Sequence, residues 1–262
     1  DLARFAKSTP PSGTVRDFST PQTYTVTAQD GSTRDYTVQA VPTGVPMNFT
    51  WMSNNAGNFD DGTQWKDNLG AVSAPAAGGN SDYILNFYTQ GRYEVTREGT
   101  GDFVLNQLNF GRSAVTLTGK CTMVFTKSIS FSSLPYMNSQ NRAEATIKAP
   151  IRLDADLTID GLELDDTRVF LPGVISGTGA LIKNGPHSVF IGNATNTYSG
   201  GTIVNDGSVS FSSQGLGAGP VTVNNDGSVG IGGAPAMNTL TANGGCVFSG
   251  GNGRWSGPVT LN

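Results

Sequence analysis

The chain has 262 residues, of which 14% are charged, and its formal net charge at pH 7 is −4. This mild acidity, without clusters of Lys or Arg, argues against nucleic acid and anionic membrane surfaces as partners, and no stretch is apolar enough for membrane insertion. Disorder is excluded as well, because 37% of the residues are apolar and spread along the chain. The 35 glycines are about twice the usual share, which favours repetitive β-structure.

Residues 1–43 predict a small antiparallel module. Alternating apolar and polar residues in 23–28 and 34–39 flank the dipeptide Asp30-Gly31, and this arrangement is a strong signal for a β-hairpin. The proline-containing segment that follows, residues 44–47, is interpreted as a linker to a second domain over 48–262.

This first module resembles the C-terminal half of a small immunoglobulin-like module that recurs in tandem in bacterial surface proteins. The resemblance runs from Ser12 through Thr23-Tyr24-Thr25-Val26 to Tyr36-Thr37-Val38. It implies further strands before Asp1. We therefore expect either that the sequence begins inside the module, or that a like chain completes its open sheet edge by strand pairing.

The region from Gly173 onward repeats itself with a period near 20 residues. Asp206-Gly207-Ser208-Val209 returns 20 residues later as Asp226-Gly227-Ser228-Val229, and residues 219–224 return 38 residues later as 257–262. Short alternating strands separated by Gly and Asn turns at this period are typical of solenoid coils that bury their apolar edges against one another.

The predicted fold class is therefore all-β. We expect a right-handed parallel β-helix, or solenoid, preceded by a small N-terminal antiparallel immunoglobulin-like fragment. The solenoid stops in mid-pattern at Asn262, so we also expect the native chain to continue past that residue.

The repeat resembles the autotransporter-associated β-strand repeat. The most specific part of the match is Asn196-Thr197-Tyr198-Ser199-Gly200-Gly201-Thr202-Ile203-Val204. The segments that contain Trp51, Phe59 and Trp65 resemble the cap that precedes such repeats. This resemblance implies a secreted passenger region that is exported and folded outside the outer membrane, at the surface of a bacterium or in its surroundings.

A catalytic constellation is hard to assemble from these residues. His187 is the sole histidine and lies in a turn that enters a strand, so it is interpreted as structural or solvated rather than as a catalytic base. Cys121 and Cys246 are far apart, in strand-like runs, and are expected to be two buried small apolar residues. One His and two scattered Cys do not make a zinc site, so neither a metal nor another cofactor is predicted.

Acidic residues concentrate between positions 154 and 166, next to two arginines. If this segment is extended, Asp154 and Asp156 lie on one face, where they could contact Ca²⁺ or a glycan; the usual alternative is a solvated turn. The tentative contact residues are Arg152, Asp154, Asp156, Asp165 and Asp166. Asp60-Asp61-Gly62 is a weaker possibility for a Ca²⁺ loop.

Aromatic residues offer a second type of binding surface, because their flat rings pack on sugar faces. Core or cap packing is the alternative role for them. The residues considered are Trp51, Trp65, Tyr88, Tyr93, Tyr136 and Trp255.

Two hypotheses of different classes follow. The first is a non-catalytic, extracellular structural or adhesive segment of a large bacterial surface or secreted protein, whose partners are glycans, extracellular matrix or like chains. The alternative is a carbohydrate-active protein, either a β-helical polysaccharide lyase or hydrolase or a sugar-binding module. It would depend on the acids next to Arg152.

Overall fold

The computed structural model describes residues 6–18, 21–38, 45–111, 113–131, 143–161, 167–212, 215–233, 235–250 and 252–262. The chain divides into two compact units, Asp1–Val45 and Pro46–Asn262. The first residue of the predicted linker, Gly44, lies outside the described residues.

The first unit is a three-stranded antiparallel sheet in the order β1-β2-β3. Its strands are β1 (Lys7–Thr9), β2 (Gln22–Thr27) and β3 (Thr33–Val38). Tyr24 pairs with Tyr36, which confirms the predicted hairpin. Of the immunoglobulin-like resemblance, the described residues show this antiparallel sheet alone. One face is rich in threonine, and Thr25 donates a hydrogen bond to Asp35 across the strands at 2.6 Å.

The second unit is a β-solenoid of about 7 turns, which confirms the predicted fold class; its handedness remains a prediction. In the part of this unit that the structure describes, one 3₁₀ turn, Gly62–Gln64, lies among the strands. The strands are β4 (Met47–Trp51), β5 (Gly57–Asn58), β6 (Trp65–Asp67), β7 (Tyr83–Phe87), β8 (Arg92–Arg97), β9 (Asp102–Phe110), β10 (Ala114–Gly119), β11 (Thr122–Phe131), β12 (Glu144–Ile147), β13 (Ile151–Leu153), β14 (Leu157–Gly161), β15 (Arg168–Leu171), β16 (Ile175–Gly177), β17 (Leu181–Lys183), β18 (Ser188–Ile191), β19 (Thr202–Ser212), β20 (Val221–Gly232), β21 (Leu240–Asn243), β22 (Cys246–Gly250) and β23 (Val259–Leu261).

Parallel ladders form three faces around the solenoid axis. The first face runs from β4 through β7, β14 and β17 to β23, and it includes one half each of β9, β11, β19 and β20. The second face runs from β8 through β10, β12, β15 and β18 to β22, again with halves of β19 and β20. The third face contains β13, β16 and the remaining halves of β9 and β11.

Each face buries alternate side chains, as the period of two in the sequence predicts. Side chains at one register position stack from coil to coil and form a continuous core. The column inside the first face is almost entirely apolar, with one lysine in it. Its members are Phe49, Leu85, Leu108, Ile129, Ile159, Lys183, Val204, Val223 and Ala242.

The first coil carries an aromatic cluster. Strands β4 and β6 pair antiparallel, with Trp51 opposite Trp65, so the solenoid begins with a hairpin instead of a bare parallel edge. The two indole rings meet edge to face at 5.1 Å, and Phe59 meets Trp65 in the same way at 5.0 Å. All three side chains are buried, as the resemblance to a cap implies.

A stack of rings continues inward from this cluster. Phe87 lies on Phe110 and Phe110 on Phe131, with 5.6 Å between centroids in both pairs, and His187 follows Phe131 at 5.4 Å.

The repetitive coils are held together by an asparagine ladder. Asn205, Asn224, Asn243 and Asn262 each donate from Nδ2 to Oδ1 of the asparagine one coil earlier, beginning at Asn184, over distances of 2.6–2.9 Å. Each amide thus uses its carbonyl toward one neighbour and its NH₂ toward the other, so the bonds continue along the axis.

The motif that carries the repeat resemblance has a structural role. The Asn196 amide accepts from the Ile175 backbone N–H and donates to the Gly215 carbonyl, both at 2.7 Å. Tyr198 is fully buried and its hydroxyl bonds to Thr202 at 2.7 Å. A Cβ at Gly200 would overlap the backbone of the previous coil. The residue types of the motif are therefore those that allow the coils to stack closely.

Candidate functional site

The acidic segment is a corner of the solenoid. Residues 154–155 form a bend between β13 and β14, so the extended geometry that would place Asp154 and Asp156 on one face is absent there. Asp165 and Asp166 lie outside the described residues.

The acids that the structure does describe are paired with the chain itself. Arg152 lies 2.6 Å from Asp102 and 2.8 Å from Asp154, and these hydrogen bonds hold its pKa above the usual value. The hydrogen bond from Arg152 likewise lowers the pKa of Asp154. Asp156 accepts from the Ala180 backbone N–H at 2.8 Å and so ties its coil to the next.

The aspartates of the second suggested Ca²⁺ loop also have structural partners. Asp61 caps the 3₁₀ turn by accepting from the N–H and hydroxyl of Thr63, and these bonds lower its pKa. Asp60 contacts Arg97 at 3.3 Å. Within the described ranges, no group of three or more His, Cys, Asp or Glu side chains is placed to hold a metal ion.

His187 is enclosed in the core, next to Lys183. In the described part of the chain neither ring nitrogen of His187 has a hydrogen-bond partner. Burial, together with the nearby lysine charge, lowers the pKa of His187 to about 3, so the ring is neutral at pH 7. Lys183 is also fully buried, and its ammonium donates to the carbonyl oxygens of Asn184, Gly185 and Asp206. Burial lowers its pKa to about 8.

This pair forms an internal polar site. Lys183 occupies an inward position of the first face, where its charge is stabilised by backbone carbonyls at a corner and by the more distant Asp160 and Asp206. Both side chains are enclosed, with exposed fractions of 0% for Lys183 and 2% for His187.

Most of the aromatic residues considered as a sugar platform are packed in the interior. Trp51 and Trp65 are fully buried, Tyr93 is 4% exposed, and Tyr88 is half-buried. Trp255 is partly buried and donates from its indole N–H to the Asn238 carbonyl at 2.8 Å. Tyr136 lies outside the described residues.

A different aromatic surface lies on the outside of the second face. One outward register position, here called the outer column, changes character along the axis: it is polar in the early coils and aromatic or small in the later ones. Its members are Glu94, Thr116, Thr146, Phe170, Phe190, Ser210, Gly230 and Phe248.

The later part of the outer column borders a groove of about 400 Å³. Phe170 and Phe190 stack with 4.9 Å between centroids and 14° between ring planes. Phe248, which is 47% exposed, leans over Gly230 so closely that a Cβ there would overlap its ring. The floor consists of small residues, chiefly Gly192, Ser210, Ser212, Gly230 and Gly232.

No charged side chain is among the described residues that line this groove. The early coils differ, because their outer surface carries the ion pairs Arg92–Glu144 at 3.4 Å and Lys148–Glu94 at 3.2 Å. The groove thus begins where charged side chains give way to phenylalanine, serine and glycine.

Sequence reasoning missed this groove, although the signal was present. The repeat period of about 20 residues, applied to outward positions, connects Phe170 with Phe190, Ser210 and Gly230. The prediction that Cys246 is buried was wrong, because its side chain occupies an outward register position. It lies in the last outward position opposite Ser228 and is exposed, whereas Cys121 is buried as expected.

The first unit has an apolar surface of its own. One face of its sheet presents Tyr24, Val26 and Tyr36, and the ring of Phe18 stacks on Tyr24 at 6.2 Å between centroids. Among the described residues of that unit, no second layer covers this face.

The fold and these surfaces define an all-β solenoid with one uncharged aromatic groove on its described surface. A family model described as "SGBP, N-terminal", the start of a glycan-binding protein, matches residues 1–40. No curated protein and no solved structure matches the chain. The described residues include no helix with the length and apolar character needed to cross a membrane.

Proposed function

We propose that the chain is a non-catalytic, extracellular segment of a bacterial surface or secreted protein, and that it binds glycans. The observation that carries this proposal is the similarity of residues 1–40 to the N-terminal segment of a glycan-binding family. The groove on the solenoid supports it independently, because exposed aromatic rings next to small polar residues suit the mixed apolar and hydroxyl surface of a sugar.

The absence of catalysis is part of the proposal. A glycoside hydrolase or lyase needs acids, bases or cations that are free to approach a substrate. Here Asp154 is engaged by Arg152, Asp156 by a backbone N–H, and His187 is buried without access to substrate. These contacts favour structural roles for the groups that the enzyme alternative would require.

The finer assignments remain proposals. The solenoid is similar to autotransporter-associated repeats, and the contacts of Asn196, Tyr198 and Gly200 give a physical reason for that pattern. A structural or adhesive role follows from the architecture, because stacked coils extend a binding surface by ~4.8 Å per coil. Extracellular matrix and like chains, paired along an exposed strand such as β3, are the other partners proposed.

The proposal is tested by a screen of the purified chain against neutral and acidic polysaccharides, with binding and new chain ends recorded in parallel. Binding without new chain ends is the expected result. New chain ends would overturn the non-catalytic assignment. No binding to any polysaccharide would overturn glycan recognition.

A further inference from the structure

We propose that the groove bordered by Phe190 and Phe248 binds an uncharged polysaccharide that lies along the solenoid axis. This inference rests on the proposed glycan-binding function and adds a site, a ligand class and an orientation. None of the three follows from the family match, which ends at residue 40.

The absence of charge selects the ligand. Acidic glycans are bound through Arg or Lys, and no such side chain lies among the described residues that line the groove. An uncharged sugar loses less hydration on entering an apolar site than a carboxylate or sulfate does. The groove therefore favours neutral sugars over acidic ones.

The aromatic rings supply the contact area. Phe170 and Phe190 are half-buried, and their stacked arrangement fixes both rings. Phe248 is held against Gly230 at the opposite end. Rigid aromatic rings bury apolar surface at a small cost in conformational entropy, so the C–H groups of pyranose rings are suitable partners for them.

The small residues give the groove its depth. At the register position of Ser210 and Gly230, the early coils carry the bulkier Thr116, Thr146 and Glu94. Ser212 uses its hydroxyl to bond the Gly192 carbonyl at 3.2 Å, whereas the Ser210 hydroxyl has no hydrogen-bond partner in the described part of the chain. Ser210 can therefore donate to a sugar oxygen at the floor of the groove.

The orientation follows from the repeat. Phe170, Phe190, Ser210, Gly230 and Phe248 succeed one another at intervals of one coil, ~4.8 Å, along the axis. The sugar units of an extended polysaccharide repeat at a similar spacing, so a chain parallel to the axis presents about one ring to each coil. A chain across the axis would leave the groove after a single ring.

Binding is best followed by labelling Cys246 with an environment-sensitive dye. Cys246 is exposed and lies two positions from Phe248 on the same outward side, while Cys121 is buried and protected from the reagent. The probes are soluble β-glucan, mannan, xylan and starch, with alginate and pectate as acidic counterparts. An unlabelled sample, measured by calorimetry, shows whether the dye disturbs the groove.

Two variants test the site. Phe190→Ala removes a platform, and Ser210→Glu places a charged, bulky side chain on the floor. Each is expected to weaken binding of a neutral polysaccharide on the order of tenfold or more. Thr116→Glu is the matched control, because it adds the same charge in the same outer column outside the groove. Urea unfolding of every variant shows that a loss of binding is not a loss of folding.

The ligand class and the orientation are tested with the same assay. Affinity should be insensitive to salt, as expected without ion pairs, and should rise with oligosaccharide length up to about 14 Å, the three coil intervals from Phe190 to Phe248.

Neutral glycan binding that Phe190→Ala and Ser210→Glu leave unchanged would overturn this inference and leave the proposed function in place. Salt-sensitive binding of alginate or pectate alone would do the same. If no polysaccharide binds, or the groove binds only a protein, both the inference and the proposed function are wrong.

Discussion

The early and late coils of the solenoid fill their interiors with different types of residue and differ in the contacts that link one coil to the next. Residues 47–131 fill the interior with large rings, such as Trp65 and Phe110, and on the outside Arg92 and Glu94 form ion pairs with Glu144 and Lys148. Residues 181–262 fill it mainly with Val, Leu, Ile and Ala, and link their coils through the asparagine ladder. The outer surface of the late coils thus differs from that of the early coils, because uncharged residues form the groove there.

The largest expected effect concerns the inner ring stack of the early coils. Phe110→Ala removes a fully buried ring between Phe87 and Phe131, so it should lower the free energy of unfolding by about 3–5 kcal/mol. The measurement is urea denaturation followed by circular dichroism.

Phe170→Ala is the matched control for this variant. Its ring stacks with similar geometry on the outside, where it is only half-buried, so the expected loss is about 1 kcal/mol or less. Equal losses for the two variants would contradict the difference in burial between the inner and outer ring stacks.

The second prediction concerns His187 of the late coils, whose ring contacts Phe131 of the early coils. Because its pKa is about 3 in the folded chain and 6.5 when unperturbed, the unfolded chain binds more protons between these values. The contribution of the neutral ring to the free energy of unfolding is complete above pH 6.5. It is lost as the pH falls toward 3, by about 1.4 kcal/mol for each pH unit.

The variant His187→Phe keeps a ring on Phe131 but has no proton to bind. Its unfolding free energy should fall less between pH 6.5 and pH 4 than that of the parent chain, measured by urea titration at each pH. Parallel pH profiles for the two proteins would contradict a buried, neutral His187. Comparison with the parent removes the effect of the carboxylates, which titrate in both.

The third prediction tests the asparagine ladder of the late coils. Asn224→Ala breaks the bonds to Asn205 and Asn243, of 2.6 Å and 2.9 Å, and should cost about 1–2 kcal/mol. The neighbouring Asn225 is exposed and makes no ladder bond, so Asn225→Ala should change stability little. Similar urea midpoints for the two variants would show that the ladder contributes nothing.

The smallest effect is expected at the corner of Arg152. Its ion pairs with Asp102 and Asp154 are exposed to solvent, and such pairs contribute little to stability. Arg152→Ala should leave both the urea midpoint and neutral glycan binding unchanged within error. A clear loss of glycan binding would instead support the tentative site at Arg152, Asp154 and Asp156.

The fold was predictable because its signals are local and periodic. Alternation revealed the strands, and the repeat near 20 residues revealed the coils. The inward position of Lys183 was not predictable in this way, because it depends on register with Ile159 and Val204 and on carbonyls that converge at a corner. The asparagine ladder and the groove were not predictable from local signals alone either. Each is made by single residues from several coils, and stacking alone brings them together.

The candidate site was predicted from composition and was therefore placed at conspicuous residues. Clustered acids and tryptophans are the usual candidates for a binding site. In this fold, however, Asp154 lies in a corner of the solenoid, and Trp51 and Trp65 are packed in its core. No single one of Phe190, Ser210 and Phe248 indicates a binding site. Their common position in the outer column is what identifies them as parts of one groove.

The most direct test of the account is a crystal structure of the chain with a bound neutral oligosaccharide, taken from whichever polysaccharide of the panel binds best. We expect a sugar ring above Ser210, between the rings of Phe190 and Phe248, with the oligosaccharide running parallel to the solenoid axis. Sugar bound at the Arg152 corner, or on the sheet of the first unit with the groove empty, would contradict it.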